Sequence, residues 1–159
     1  MSKSVAPTLE FIDVHGNAGQ VTRTWHWPFT PESNQALNKA RVQEYRCRWY
    51  AIWKDSKGSW WLSAHIGCMW DYATGYWDGD YIKEASLGHD ILHWLIALGI
   101  LPTSMNDLID REFKAILIER GDIAHWRANI LMRGVNLVDQ KQTGIDRPVI
   151  KLHKGKRVK

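Results

Sequence analysis

Cysteine is nearly absent from this chain, with only Cys47 and Cys68 in 159 residues. Two thiols cannot make the disulfide framework that replaces a core in small secreted domains, and a chain of this length can bury an ample core without one. The two could pair, but free thiols in a reducing cytoplasm are the expectation. Long apolar runs are missing as well. A membrane-spanning helix needs about 20 consecutive apolar residues; the longest candidate, Ile91 to Leu101, is shorter and contains His93. Met1-Ser2-Lys3-Ser4 leads into no apolar segment of the kind that opens a secretory signal, so synthesis in the cytoplasm is expected. The chain has no internal repeat and no signature of a nucleic-acid-binding module.

Tryptophan is what the chain has in excess: ten, against a hydrophobic fraction of 45% and a charged fraction of 24% that are ordinary for one globular domain. Each indole brings a large apolar area and an N–H that needs an acceptor when buried. Trp94 and Trp126 fall on predicted helices and read as core. Trp60, Trp61, Trp70 and Trp77 crowd around a hairpin end, where a contact surface or a sugar-stacking platform competes with plain core packing.

Charge is uneven. The net charge is +4, and Lys151, Lys154, Lys156, Arg157 and Lys159 lie in the last nine residues with no acid among them. Removing those five leaves −1 (4 − 5), so this tail alone sets the sign. The five are candidate partner-binding residues, suited to phosphates of nucleic acid, to an anionic lipid surface or to an acidic protein.

Short alternating runs at Leu9–Ile12 and Gln20–Trp25, around His15-Gly16-Asn17-Ala18-Gly19, predict a hairpin or irregular β-arm. Pro28, Pro31, Ser33 and Asn34 mark a loop, followed by at most a weak helical turn over Glu32–Lys39. Tyr45, Cys47, Trp49, Ala51 and Trp53 repeat at period two and predict one strand, with a turn at Asp55-Ser56-Lys57-Gly58 and a returning strand over Ser59–Met69. Beyond Gly79 the period becomes helical. Helices are predicted over Tyr81–Leu98, from Ser104 to Gly121 with Asp107 completing a capping box, and over Ile123–Val138; Gly99 suits a C-terminal cap and Pro102 bars continuation. Pro148-Val149-Ile150 is the last strand-like run. Strands before helices predict an α+β fold, a small antiparallel sheet built on a Trp-rich hairpin and packed by three helices. The expected division is an arm and loop over 1–44, an α+β core over 45–139 and a basic tail over 140–159, all in one domain.

The chemistry centres on Gly88-His89-Asp90-Ile91-Leu92-His93 and on Asp110-Arg111-Glu112-Phe113. His89 and His93, four apart, share a helix face. With a carboxylate such as Asp90 or Asp71 they could hold a metal, zinc or calcium being the candidates. His-Asp-x-x-His also looks like the zinc-peptidase motif with its acid shortened by one methylene, which leaves the base short of a metal-bound water. The plainer reading is a buried hydrogen-bonded clasp of Asp71, His89, Asp90 and Asp110 that fixes helix register without catalysis.

Two resemblances bear on these residues. Gly67-Cys68-Met69-Trp70-Asp71-Tyr72-Ala73-Thr74, then His89-Asp90, then Asp110-Arg111-Glu112-Phe113 and the third helix with Arg127 resemble, in order and spacing, a bacteriophage and prophage family of unknown function. That family carries Gly-Phe-x-x-Asp-x-Ala-Ser, His-Asp-x-x-Tyr and Asp-x-x-Phe; here Cys68 stands for Phe and His93 for Tyr. The resemblance covers roughly Trp60 to Val138. It implies a phage origin and a fold; the functional expectation built on it is a phage-encoded structural or interaction protein, virion or tail-associated, with other phage structural proteins as partners. His-Asp on one helix and Asp on the next is also similar to secreted phospholipase A2. That likeness implies His89 as the base, Asp110 as its orienting group and Asp90 as a calcium ligand, in a metal-dependent hydrolase of the bacterial envelope. The Gly-rich calcium loop and disulfide scaffold of those enzymes are absent here.

Overall fold

In the computed structural model, residues 7–14, 18–72 and 80–141 are described, with side chains as far as Arg133. The chain runs through β1 (Phe11–Val14), β2 (Ala18–Val21), β3 (Trp25–Pro28), α1 (Pro31–Lys39), β4 (Tyr45–Arg46), β5 (Tyr50–Lys54), β6 (Trp60–Ala64) and β7 (Met69–Asp71). It continues through α2 (Asp80–Ala97), a 3₁₀ turn at Thr103–Met105, α3 (Asn106–Gly121) and α4 (His125–Lys141). This is the α+β class expected, with two small antiparallel sheets rather than one and with α1 as a fourth helix.

One sheet has the order β1-β2-β7 and the other β3-β6-β5-β4. The predicted hairpin is β5–β6, in register Ile52↔Leu62, Trp53↔Trp61 and Lys54↔Trp60. Alternation decides which faces are covered. Trp25 and Trp27 on β3, Ile52 on β5 and Trp60, Leu62 and Ala64 on β6 are buried in one core with α2 and α3. Val21, Trp25, Trp27, Phe29 and Leu37 belong to that core, so residues set apart by sequence as an arm and loop furnish strands of both sheets.

The chain passes from the four-stranded sheet to the three-stranded one at Gly67. Its φ of +88° is a conformation glycine adopts without a Cβ penalty, and a Cβ there would stand 2.8 Å from the Trp49 ring. Val21 N–H donates to the Cys68 carbonyl at 2.9 Å and Gly67 N–H to the Val21 carbonyl at 2.8 Å, so the β2-to-β3 and β6-to-β7 crossings run side by side.

Three local expectations are corrected. The single strand over Tyr45–Trp53 is two strands folded on each other, with Tyr45 opposite Ile52 and Cys47 N–H donating to the Tyr50 carbonyl at 2.9 Å. Trp49 and Tyr50 are both buried, and adjacent residues of one flat strand cannot share a face, so period two breaks there. The capping box at Ser104 is not formed: Thr103–Met105 make the 3₁₀ turn, and α3 starts from Met105 with no side-chain cap. The returning strand over Ser59–Met69 is divided as well, β6 ending at Ala64 and β7 beginning at Met69 in the other sheet; α3 does end at Gly121 as expected, with the left-handed position at Asp122, φ 49°. Gly99 takes the positive φ expected after α2, at 73°.

Candidate functional site

α2 is enclosed through its middle. Every residue from Glu84 to Leu92 is buried, so its polar side chains there, Glu84, Ser86, His89 and Asp90, must be satisfied within the protein. α3 packs on one side of this helix and β7 on another.

His89 lies 3% exposed and Asp90 4% exposed. The Nε2 atoms of His89 and His93 are 3.2 Å apart, so one ring carries the hydrogen and the other the lone pair. The His89 ring also meets Phe113 of α3 edge-on, with centroids 5.6 Å apart. His89 Nδ1 and Asp90 Oδ1 stand 3.7 Å apart, beyond hydrogen-bonding distance. The structure therefore brings together His89, Asp90 and His93. Asp71 closes β7, opposite Ala18, and is half-buried, as is Asp110 on α3. Among the described residues, no three of His, Cys, Asp or Glu are gathered so as to hold a metal ion. Cys47 is half-buried and Cys68 buried, and burial pushes the Cys68 thiol well above its ordinary range.

The larger polar network was not signalled by any motif. Trp25 Nε1 donates to Glu84 Oε1 at 2.7 Å, and Arg120 Nε donates to the same oxygen at 3.0 Å. Two residues along β3, Trp27 Nε1 donates to Glu112 Oε2 at 2.8 Å, while Glu112 Oε1 accepts from Thr30 N at 3.1 Å and Thr30 Oγ1 at 2.7 Å. Trp70 Nε1 donates to Ser86 Oγ at 3.0 Å. The buried indoles thus dock strands onto α2 and α3 through acids and a hydroxyl. Burial raises the Glu84 carboxyl above its ordinary value, with the Trp25 hydrogen bond and the Arg120 charge acting in the opposite sense. A signal was present in the sequence: Glu84 precedes Gly88, Ile91 and Leu95, and Glu112 sits between Leu108 and Ile116, so each acid falls on an apolar stripe.

The tryptophans meet the core-packing expectation except at Trp126. Trp60 and Trp70 are fully buried core residues, like Trp94. Trp126 is 67% exposed and Ile130, one turn on, 53% exposed, so Trp126 is not core; among the described side chains of α4, Ala128 and Leu131 are the buried ones. Trp61 is half-buried. Trp77, the Pro148–Ile150 run and the basic residues Lys151, Lys154, Lys156, Arg157 and Lys159 lie outside the described residues. No helix among the described residues is long and apolar enough to cross a membrane. Comparison of the chain with protein-family models, curated proteins and solved structures finds no match in any of the three.

Proposed function

We propose that this chain is a phage-encoded structural or interaction protein, virion or tail-associated, in which His89 and Asp90 form part of a buried clasp rather than a reaction centre. The observation that carries the reading is the enclosure of those two side chains within α2 and its neighbours. A general base or metal-bound water must be reached by substrate, whereas a packing clasp is most effective when closed. Exposed large apolar side chains among the described residues lie elsewhere, at Ile12, at Ile66 and, on α4 beside Arg127 and Arg133, at Trp126 and Ile130, where a partner could cover them. The phage assignment rests on the motif order from Gly67 to Arg127. The basic tail would add attraction to acidic or phosphate-bearing surfaces of an assembly.

Two measurements test this. Particles released from a host carrying the gene and purified on a density gradient are expected to contain the chain in fixed ratio to other particle proteins; its absence overturns the virion assignment. Elemental analysis of the purified protein is expected to give no stoichiometric metal attributable to His89. Bound calcium or zinc that disappears in His89→Ala overturns the clasp reading in favour of the metal-dependent envelope hydrolase.

A further inference from the structure

A groove opens between α1 and the β5–β6 turn. Its volume is about 480 Å³, within the range of small-ligand sites, and Pro28, Phe29, Asn38, Asp55, Ser59 and Trp61 are among the residues lining it. We propose that this groove binds a neutral saccharide, with the Trp61 ring as its stacking surface and Asp55 and Asn38 as its hydroxyl partners. The proposal stands apart from the clasp and from the phage assignment.

The groove is built by its sequence to be stiff. Asp55 Oδ1 accepts the backbone N–H groups of Lys57 and Ser59, each at 2.9 Å, which locks the turn and the carboxylate together. The other oxygen of Asp55 accepts Trp61 Nε1 at 2.9 Å. Trp53 backs Trp61 in a stacked pair with centroids 5.9 Å apart, and Trp53 is itself held by Ser63 Oγ at 2.8 Å. Pro28 stands opposite Trp61 on the neighbouring strand. On the α1 side, Asn34 accepts Trp60 N at 2.7 Å and donates to the carbonyls of Phe29 and Thr30 at 2.9 and 3.0 Å. The walls therefore need little ordering when a ligand arrives.

The polar groups are oriented as a polyol requires. An indole N–H can only donate, so the contact from Trp60 Nε1 at 2.9 Å fixes Asn38 Oδ1 towards it and turns the amide NH₂ of this exposed residue outward. Asp55 Oδ2 retains a lone pair beside the one that Trp61 occupies. The Trp61 hydrogen bond, followed by that of Ser59, holds the Asp55 carboxyl below its ordinary value, so an anion lines the groove at neutral pH. A fixed carboxylate accepts hydroxyl hydrogens and repels phosphates and acidic sugars. The apolar face of a pyranose ring matches an indole, and its hydroxyls match one acceptor and one donor at the rim. The neutral sugar is therefore favoured over nucleic acid.

Titration of the ¹⁵N-labelled full chain with tetramers of N-acetylglucosamine, of β-1,4-glucose and of α-1,4-glucose tests this, with oligothymidylate as the anionic comparison. A saturating shift of the Trp61 indole N–H and the Asn38 amide is expected with at least one of the sugars. The Trp61 resonance is assigned by its loss in Trp61→Phe. In Trp61→Ala, affinity is expected to fall by about tenfold or more. Asn38→Asp guards against misfolding, because it keeps the acceptor for Trp60 while exchanging the outward donor for a charged acceptor; it too should bind more weakly while its indole spectrum stays native. Absence of a shift with all three sugars, a response to oligothymidylate alone, or sugar shifts that persist unchanged in both variants overturns the proposal.

Discussion

The indole of Trp27 donates to the carboxylate of Glu112 at 2.8 Å, joining β3 to α3 across 85 residues of chain with both groups buried. Two residues earlier, Trp25 and Glu84 repeat the arrangement onto α2. The two acids are compensated differently. Glu84 meets the Arg120 guanidinium, whereas Glu112 meets the indole of Trp27, the Thr30 backbone amide and the Thr30 hydroxyl.

Glu112→Ala takes that acceptor from the buried Trp27 indole and from the half-buried Thr30 amide and hydroxyl. Each unsatisfied buried group costs about 1–3 kcal/mol, and some relax toward other partners, so a loss of about 3–5 kcal/mol in unfolding free energy is expected. Glu112→Gln keeps one acceptor oxygen and should lose about half as much. Urea unfolding monitored by tryptophan fluorescence measures both. A change below about 1 kcal/mol in the alanine variant would mean that the strand is held by packing alone.

Glu84 gives stability a pH slope. Its folded-state pKa is raised above the ordinary 4.5, chiefly by burial. A raised value means that the folded state holds the proton more tightly than the unfolded chain does. The resulting stabilisation is complete below the unfolded value and is lost as pH rises through the folded one. Glu84→Gln has no proton to lose and can still accept from Trp25. Wild-type stability is therefore expected to decline relative to Glu84→Gln as pH rises from 4.5, in chemical denaturation across that range. Parallel profiles, or a wild type that gains on the variant, would show that Arg120 outweighs burial.

Gly121 should not tolerate even alanine. A Cβ there would lie 2.6 Å from Tyr81 Cδ2 and 3.0 Å from Tyr81 Cγ, and the Cγ end of the ring cannot swing aside freely. Helix propensity favours alanine by about 1 kcal/mol, but overpacking costs typically about 1–3 kcal/mol. Gly121→Ala is expected to lower the thermal midpoint, and Tyr81→Ala in that background to recover part of the loss. Additive effects in this double-mutant cycle would remove the contact as the cause.

Periodicity made α2 legible to within a residue at each end and placed the β5–β6 turn, but the strands predicted on either side of that turn, Tyr45–Trp53 and Ser59–Met69, each run about five residues too far. The Trp49-Tyr50 break was not legible, since two adjacent aromatics can be read as either face until the turn that separates them is known. Trp126 was misplaced for a related reason: α4 buries Ala128 and Leu131, so its inward face is the one with the smaller side chains. His89 and Asp90 were found through their local motif, and their enclosure follows from α2 being buried at every residue from Glu84 to Leu92. Glu84 and Glu112 were passed over because an acid on an apolar stripe reads as noise unless its acceptor role toward distant indoles is known, and those partners lie 59 and 85 residues away.

The paired crossings at Val21 and Gly67 also limit how this protein can deform. Any motion that parts the three-stranded layer from its neighbour must break both covalent bridges' mutual hydrogen bonds at one place, since neither connection has slack of its own. The two layers should accordingly open as one cooperative unit.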